Sequence, residues 1–178
     1  MKTQLTLFLS ALILFTGCVA VTFPEPMPMN RRSLTCFPTA WQGVWTAVAT
    51  DSETETITIS ATHIDLGGDL VLLGEAAVVR RFAGYLVLSI TTEEDEGRWQ
   101  IYLGEITQGV LHVYNFDGDE EEKVAIWELV LGGDSVERVA KSVDDSEVKE
   151  YRLNPENNIA FRELITKGGL SSQGKYVK

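Results

Sequence analysis

His63 and Asp65 lie two residues apart, a spacing that puts both side chains on one face of a strand, where a carboxylate can polarise an imidazole or share a metal with it. They are candidate catalytic or metal-binding residues with no third donor in view, so a surface pair at a strand end is the plainer reading. His112 alternates with Val110 and Tyr114 and reads as a satisfied or surface histidine. Two acidic runs, Glu93-Glu94-Asp95-Glu96 and Asp117-Gly118-Asp119-Glu120-Glu121-Glu122, are dense enough to attract a cation. Neither has the calcium-loop spacing of a sixth glycine and a terminal glutamate, and both read as solvated hairpin tips. The chain carries no Gly-x-Ser-x-Gly elbow, no His-Glu-x-x-His, no phosphate-cradling glycine loop and no Cys-x-x-Cys pair. No catalytic set, metal site or cofactor is therefore expected.

The cysteines say more. Cys18 follows Phe15-Thr16-Gly17, which close an apolar run from Leu5 to Phe15 placed behind the single charge of Lys2. A charged start, a short apolar stretch and small residues make a secretory signal, and the run is too short to span a bilayer permanently. Phe15-Thr16-Gly17-Cys18 resembles the lipobox of bacterial lipoproteins, with Phe15 where leucine is commonest. The resemblance implies that residues 1–17 are a signal peptide and that Cys18 becomes the acylated first residue. It would then carry a diacylglycerol thioether and an amide-linked fatty acid, a multi-chain anchor far firmer than one chain. Val19 in the second mature position, in place of aspartate, implies the outer membrane; the leaflet and the side faced stay open.

The 15 Lys and Arg against 26 Asp and Glu give a formal charge of −11, or −12 once Lys2 leaves with the signal. So acidic a globule repels phosphate backbones and anionic headgroups, which excludes nucleic acid as a partner and leaves membrane contact to the lipid. Attraction to a cationic protein remains open. A thioether on Cys18 would leave only Cys36 in the mature domain, and no internal disulfide is then possible. Beside Phe37 and near Trp41, its thiol is expected to be buried and inert.

The mature chain has the length of one domain. Pro24, Pro26 and Pro28 alternate within residues 18–35, which predicts a semi-extended tether ahead of a domain spanning residues 36–178. Period-two patterning predicts strands at Gly43–Thr50, Thr56–His63, Leu70–Leu73, Ala76–Phe82, Tyr85–Thr92, Arg98–Ile106, Val110–Phe116, Val124–Leu131 and Val148–Leu153. Gaps too short for crossover helices make neighbours antiparallel. The expected fold is mainly β: an antiparallel up-and-down meander, a closed barrel being favoured over an open sandwich because closure removes exposed edges. One C-terminal helix is expected at about residues 155–167, capped by Asn154 with Pro155 first and Gly168-Gly169 last. Residues 134–147 are open between the helical spacing of Val136, Val139, Ala140 and Val143 and a turn at Asp144-Asp145-Ser146.

Gly43-Val44-Trp45 at the start of the first strand resembles the Gly-x-Trp entry of lipocalin-like barrels. That resemblance implies a tryptophan closing the barrel floor with an arginine packed over it, for which Arg162 is the candidate; the family's Thr-Asp-Tyr-like turn is missing, and plain core aromatics are an equal reading of Trp41 and Trp45. The functional expectation is a non-enzymatic envelope lipoprotein binding a partner protein or a small apolar ligand. One alternative is an acidic inhibitor of a cationic hydrolase such as lysozyme, although the Ser-Gly-x-x-Tyr signature of that group is absent. Another is an enzyme working through His63 and Asp65.

Overall fold

Strand-forming residues punctuated by glycine turns build most of this chain, and a computed structural model describes residues 19–48, 55–74, 76–91, 97–141 and 147–178. The strands are β1 Ala20–Thr22, β2 Gly43–Ala47, β3 Thr56–Ile59, β4 His63–Leu66, β5 Asp69–Leu72, β6 Ala77–Phe82, β7 Tyr85–Ile90, β8 Gln100–Thr107, β9 Val110–Asn115, β10 Val136–Ala140, β11 Val148–Leu153 and β12 Ser171–Val177. Two helices, α1 Glu121–Leu131 and α2 Asn158–Thr166, interrupt them. No helix among the described residues is long and apolar enough to cross a membrane.

Nine strands form one antiparallel, nearly closed barrel-shaped sheet in the order β5-β4-β3-β2-β12-β9-β8-β7-β6. Two four-stranded meanders, β2 to β5 and β6 to β9, are joined through the last strand, which pairs with β9 on one side and β2 on the other. The seam lies between β5 and β6. There the Gly74 amide donates to the Ala77 carbonyl at 2.8 Å; Leu34 donates to Val79 at 2.8 Å along the free side of β6, and Phe37 donates to Ala61 in the β3–β4 turn at 2.8 Å. A second sheet, β1-β11-β10, has β1 parallel to β11 and is tied to the start of β8 by the paired backbone bonds of Phe23 and Trp99.

Two apolar cores result. One fills the concave side of the barrel with Phe37, Trp45, Ile57, Ile59, Ile64, Val79, Leu86, Leu111 and Tyr176. The other lies on the outer face of β6 to β9, where Phe82, Val87, Ile101, Leu103 and Phe116 meet Trp127 of α1, Phe161 and Leu164 of α2, and Tyr151 and Leu153 of β11. Strands buried on both faces need apolar residues in succession, which explains Leu86-Val87-Leu88. Burial of each large side chain contributes about 1.5–3 kcal/mol.

Several elements differ from expectation. Val124–Leu131, expected as a strand, is helical: Glu121 and Glu122 favour its positive end, Val124 and Trp127 turn one face to the core, and Gly132 at φ 82° ends it. α2 starts three residues later than expected. Its cap is Asn157, which accepts from the Ile159 and Ala160 amides at 2.8 and 3.1 Å, while Asn154 accepts from Arg98 instead. Val136–Ala140 resolves to a strand because it pairs with β11, and residues 142–146 of that open stretch lie outside the described residues. Thr56–His63 divides at Ser60–Thr62 into the whole of β3 and the first residue of β4.

The expected tether is part of the body. β1 extends the small sheet, Phe23 and Met27 are both 0% exposed, the Met27 amide donates to Ser89 Oγ at 3.0 Å, and the Arg80 guanidinium donates to the carbonyls of Pro26 and Pro28. Alternating prolines rule out a helix but leave Phe23 and Met27 free to enter a core. Cys36 is exposed, not buried, because Phe37 takes the inward position beside it.

Candidate functional site

Trp45 and Trp41 pack together on the concave side of the barrel. Trp45 is 1% exposed, and its Nε1 donates to the Trp41 carbonyl at 2.7 Å. Trp41 in turn lies against Gly104 of β8, where a β-carbon would fall 2.8 Å from the indole ring, so only glycine leaves room for it. The cation over Trp45 is Lys178, with Nζ 4.7 Å from the ring centroid and donating to the Ala40 carbonyl at 2.9 Å. Arg162, expected in that role, packs over Phe82 at 5.3 Å because α2 lies outside the barrel.

Away from these tryptophans, the inner wall is less covered. Leu88 of β7, Tyr102 of β8 and Asn115 of β9 stand side by side, Leu88 opposite Tyr102 and Tyr102 opposite Asn115. Ser171 of β12 continues the row opposite Asn115. Strand alternation puts this row on the same face as Leu86, Leu111 and Val113, which belong to the concave core. Leu88, Tyr102, Val113 and Asn115 are only half-buried, whereas their neighbours on the outer face, Val87 and Leu103, are covered. Polar groups accompany this row: Tyr102 Oη donates to Gln100 Oε1 at 3.2 Å and Gln173 Nε2 to Asn115 Oδ1 at 2.8 Å. Further along β12, in register with Leu111 and Ala47, Tyr176 Oη donates to Glu55 Oε1 at 3.1 Å. Burial, then the neighbouring Glu55 carboxylate, pushes the Tyr176 phenol up to about 12. Ser171 Oγ is buried with no hydrogen-bond partner. A buried hydroxyl without a partner costs free energy unless a bound group satisfies it.

A second polar cluster is structural. Arg98 donates to Thr22 Oγ1 at 2.7 Å, to the Thr22 carbonyl at 3.1 Å and to Asn154 Oδ1 at 3.1 Å, while Glu150 accepts from Arg152 at 3.1 Å. Burial lowers the Arg98 pKa and the Glu150 charge opposes that shift. These contacts lock β1 and β11 to the residues leading into β8. On the outer face, Tyr114 Oη donates to Glu105 Oε1 at 3.2 Å and Tyr85 stacks edgewise on Tyr114 at 5.9 Å; burial raises both phenols.

The residues singled out from sequence do not converge. His63 and Asp65 share the outward face of β4, as spaced, but Asp65 Oδ1 is occupied by the Gly68 amide at 2.7 Å and serves the β4–β5 turn. Among the described residues no three His, Cys, Asp or Glu side chains are grouped to hold a metal. His112 stands on β9 opposite Glu105 and Lys175. Asp119 to Glu122 are exposed, partly in the first turn of α1; Glu93 to Glu96 and Cys18 lie outside the described residues. The inner-wall row was missed because Tyr102, Asn115 and Ser171 come from three separate strands, and β12 reads as polar. No protein-family model, curated protein or solved structure matches the chain.

Proposed function

We propose that this protein is a non-enzymatic bacterial envelope lipoprotein, anchored by acylated Cys18 in the outer membrane, whose barrel binds a small, largely apolar ligand. The observation that carries the ligand reading is the inner-wall row Leu88–Tyr102–Asn115–Ser171, whose first three residues are half-buried and which ends in a buried hydroxyl with no partner. Apolar walls with a few converging polar groups suit a ligand with an apolar body and one uncharged hydrogen-bonding end. The test is titration of the purified full chain with the neutral fluorophore N-phenyl-1-naphthylamine, alongside Leu88→Trp, which fills the wall. Saturable binding lost in Leu88→Trp supports the reading. A folded protein that never binds the dye, and carries no small molecule in native mass spectrometry, overturns it.

A second reading rests on the exposed acidic residues Asp119, Glu120, Glu121 and Glu122, which suit capture of a cationic hydrolase such as lysozyme. Neutralising Glu120–Glu122 would then abolish inhibition of added lysozyme; a wild-type protein that leaves lysozyme active removes this alternative. The catalytic alternative through His63 and Asp65 is weakened by the engagement of Asp65 in its turn.

A further inference from the structure

We infer that the folded body is clamped directly at its lipid anchor with no spacer, so that the turn Asp117–Asp119 between β9 and α1 is the part of the surface held against the bilayer. The inference rests on the reading of Cys18 as the acylated residue. Its own support is the seat of the next residue. The Val19 amide donates to Asp119 Oδ2 at 3.1 Å, and the Val19 carbonyl accepts from the Gly118 amide at 3.3 Å. A β-carbon on Gly118 would fall 2.8 Å from the side chain and carbonyl of Val19, so glycine is required for the chain to lie there. β1 begins one residue further on, in parallel register with β11, and Phe23 is fully buried soon after.

Covalent reach does the rest. Cys18 is one Cα step of about 3.8 Å from Val19. The polar layer of a leaflet is about 5–8 Å deep. An acyl group rooted at Cys18 therefore leaves the Asp117–Asp119 turn at the headgroups. The far end of the six-residue strand β9 stands about 20 Å away. Asp119 and Glu120–Glu122, exposed beside the anchor point, carry the same sign as anionic headgroups within one Debye length of about 8–10 Å. The surface that fits is a zwitterionic lipid face, with the acyl chains and not charge supplying the affinity.

The test uses the full chain purified from bacterial membranes, in a Cys36→Ser background, reconstituted into phosphatidylcholine vesicles carrying headgroup nitroxides. A fluorophore on Glu121→Cys should be quenched several-fold more strongly than one on Thr107→Cys, at the opposite end of the β8–β9 hairpin. Hydrogen exchange should protect the Val19 and Gly118 amides as it does those of β11, and Gly118→Val should release the Val19 amide. Equal quenching at the two positions, or free exchange from Val19 to Phe23, overturns the clamp. Protected amides on a chain whose intact mass shows no lipid on Cys18 refute the anchor reading, and the membrane placement with it.

Discussion

Lys178, the residue after β12, lies over the indole ring of Trp45, the third residue of β2, with its ammonium 4.7 Å from the ring centroid. The same nitrogen donates to the Ala40 carbonyl, so one side chain ties the end of the chain to the segment that enters the barrel. Gly43 makes the approach possible: at φ 133° it has a backbone conformation L side chains rarely adopt, and an added β-carbon would lie 3.3 Å from Lys178 Cε. Trp45 is therefore covered by a cation from the residue that follows β12, the strand paired beside β2.

Two substitutions separate these contributions. Lys178→Met keeps the stem over the ring but removes the charge and the hydrogen bond, and should cost about 1 kcal/mol. Gly43→Ala strains the backbone and displaces Lys178, at about 1–3 kcal/mol. In a domain of this size each kcal/mol lowers the melting temperature by roughly 2–4 °C, readable by calorimetry. A Gly43→Ala variant as stable as the parent would show that the packing of Trp45 does not depend on this contact.

Phe23 distinguishes a tether from a core element. It is fully buried, with ring centroids 5.0 Å from Phe116 and 5.9 Å from Phe161. Phe23→Ala should cost about 3–5 kcal/mol in urea denaturation, whereas Arg31→Ala, exposed a few residues on, should stay within about 0.5 kcal/mol. A Phe23→Ala effect no larger than that of Arg31→Ala would restore the tether.

What was legible in the sequence, and what was not, follows from the range of the interactions involved. The β6–β7 and β8–β9 hairpins are local, with Gly84 and Gly109 at their turns, and alternation placed them well. α1 was misread because Val124–Leu131 is apolar on several sides; Leu129 is 81% exposed, so the face pattern is blurred. The helix signal lay instead in Glu121, Glu122 and Gly132 at its ends. β12 could not be found from Ser171–Val177 alone, since its strand character comes from partners on both sides. The inner-wall row and the contact of Trp41 with Gly104 are products of that same long-range pairing.

Asn157 and Asn154 divide two tasks that proximity made hard to separate in sequence. Asn157→Ala removes the acceptor of the Ile159 and Ala160 amides and should cost about 1 kcal/mol. Hydrogen exchange at those two amides should accelerate. Asn154→Ala should leave them protected, because its side chain serves Arg98. Acceleration in Asn154→Ala and not in Asn157→Ala would reverse the assignment.

Tyr176 makes stability fall at alkaline pH. Burial and the Glu55 carboxylate hold its phenol at about 12 in the fold, above the ordinary value of about 10. Below about pH 10 the phenol is protonated in both states and its contribution is complete. Between about 10 and about 12 the unfolded chain releases the proton first, so stability declines as pH rises and the contribution is lost above the folded value. Tyr85 and Tyr114, also raised, add to the same descent. Tyr176→Phe should therefore make the descent shallower without abolishing it, and should remove a phenol that ionises near about 12 in a spectrophotometric titration of the folded protein. An unchanged alkaline slope in the variant, followed by urea midpoints, would show that Tyr176 ionises alike in both states and that Glu55 does not oppose its charge.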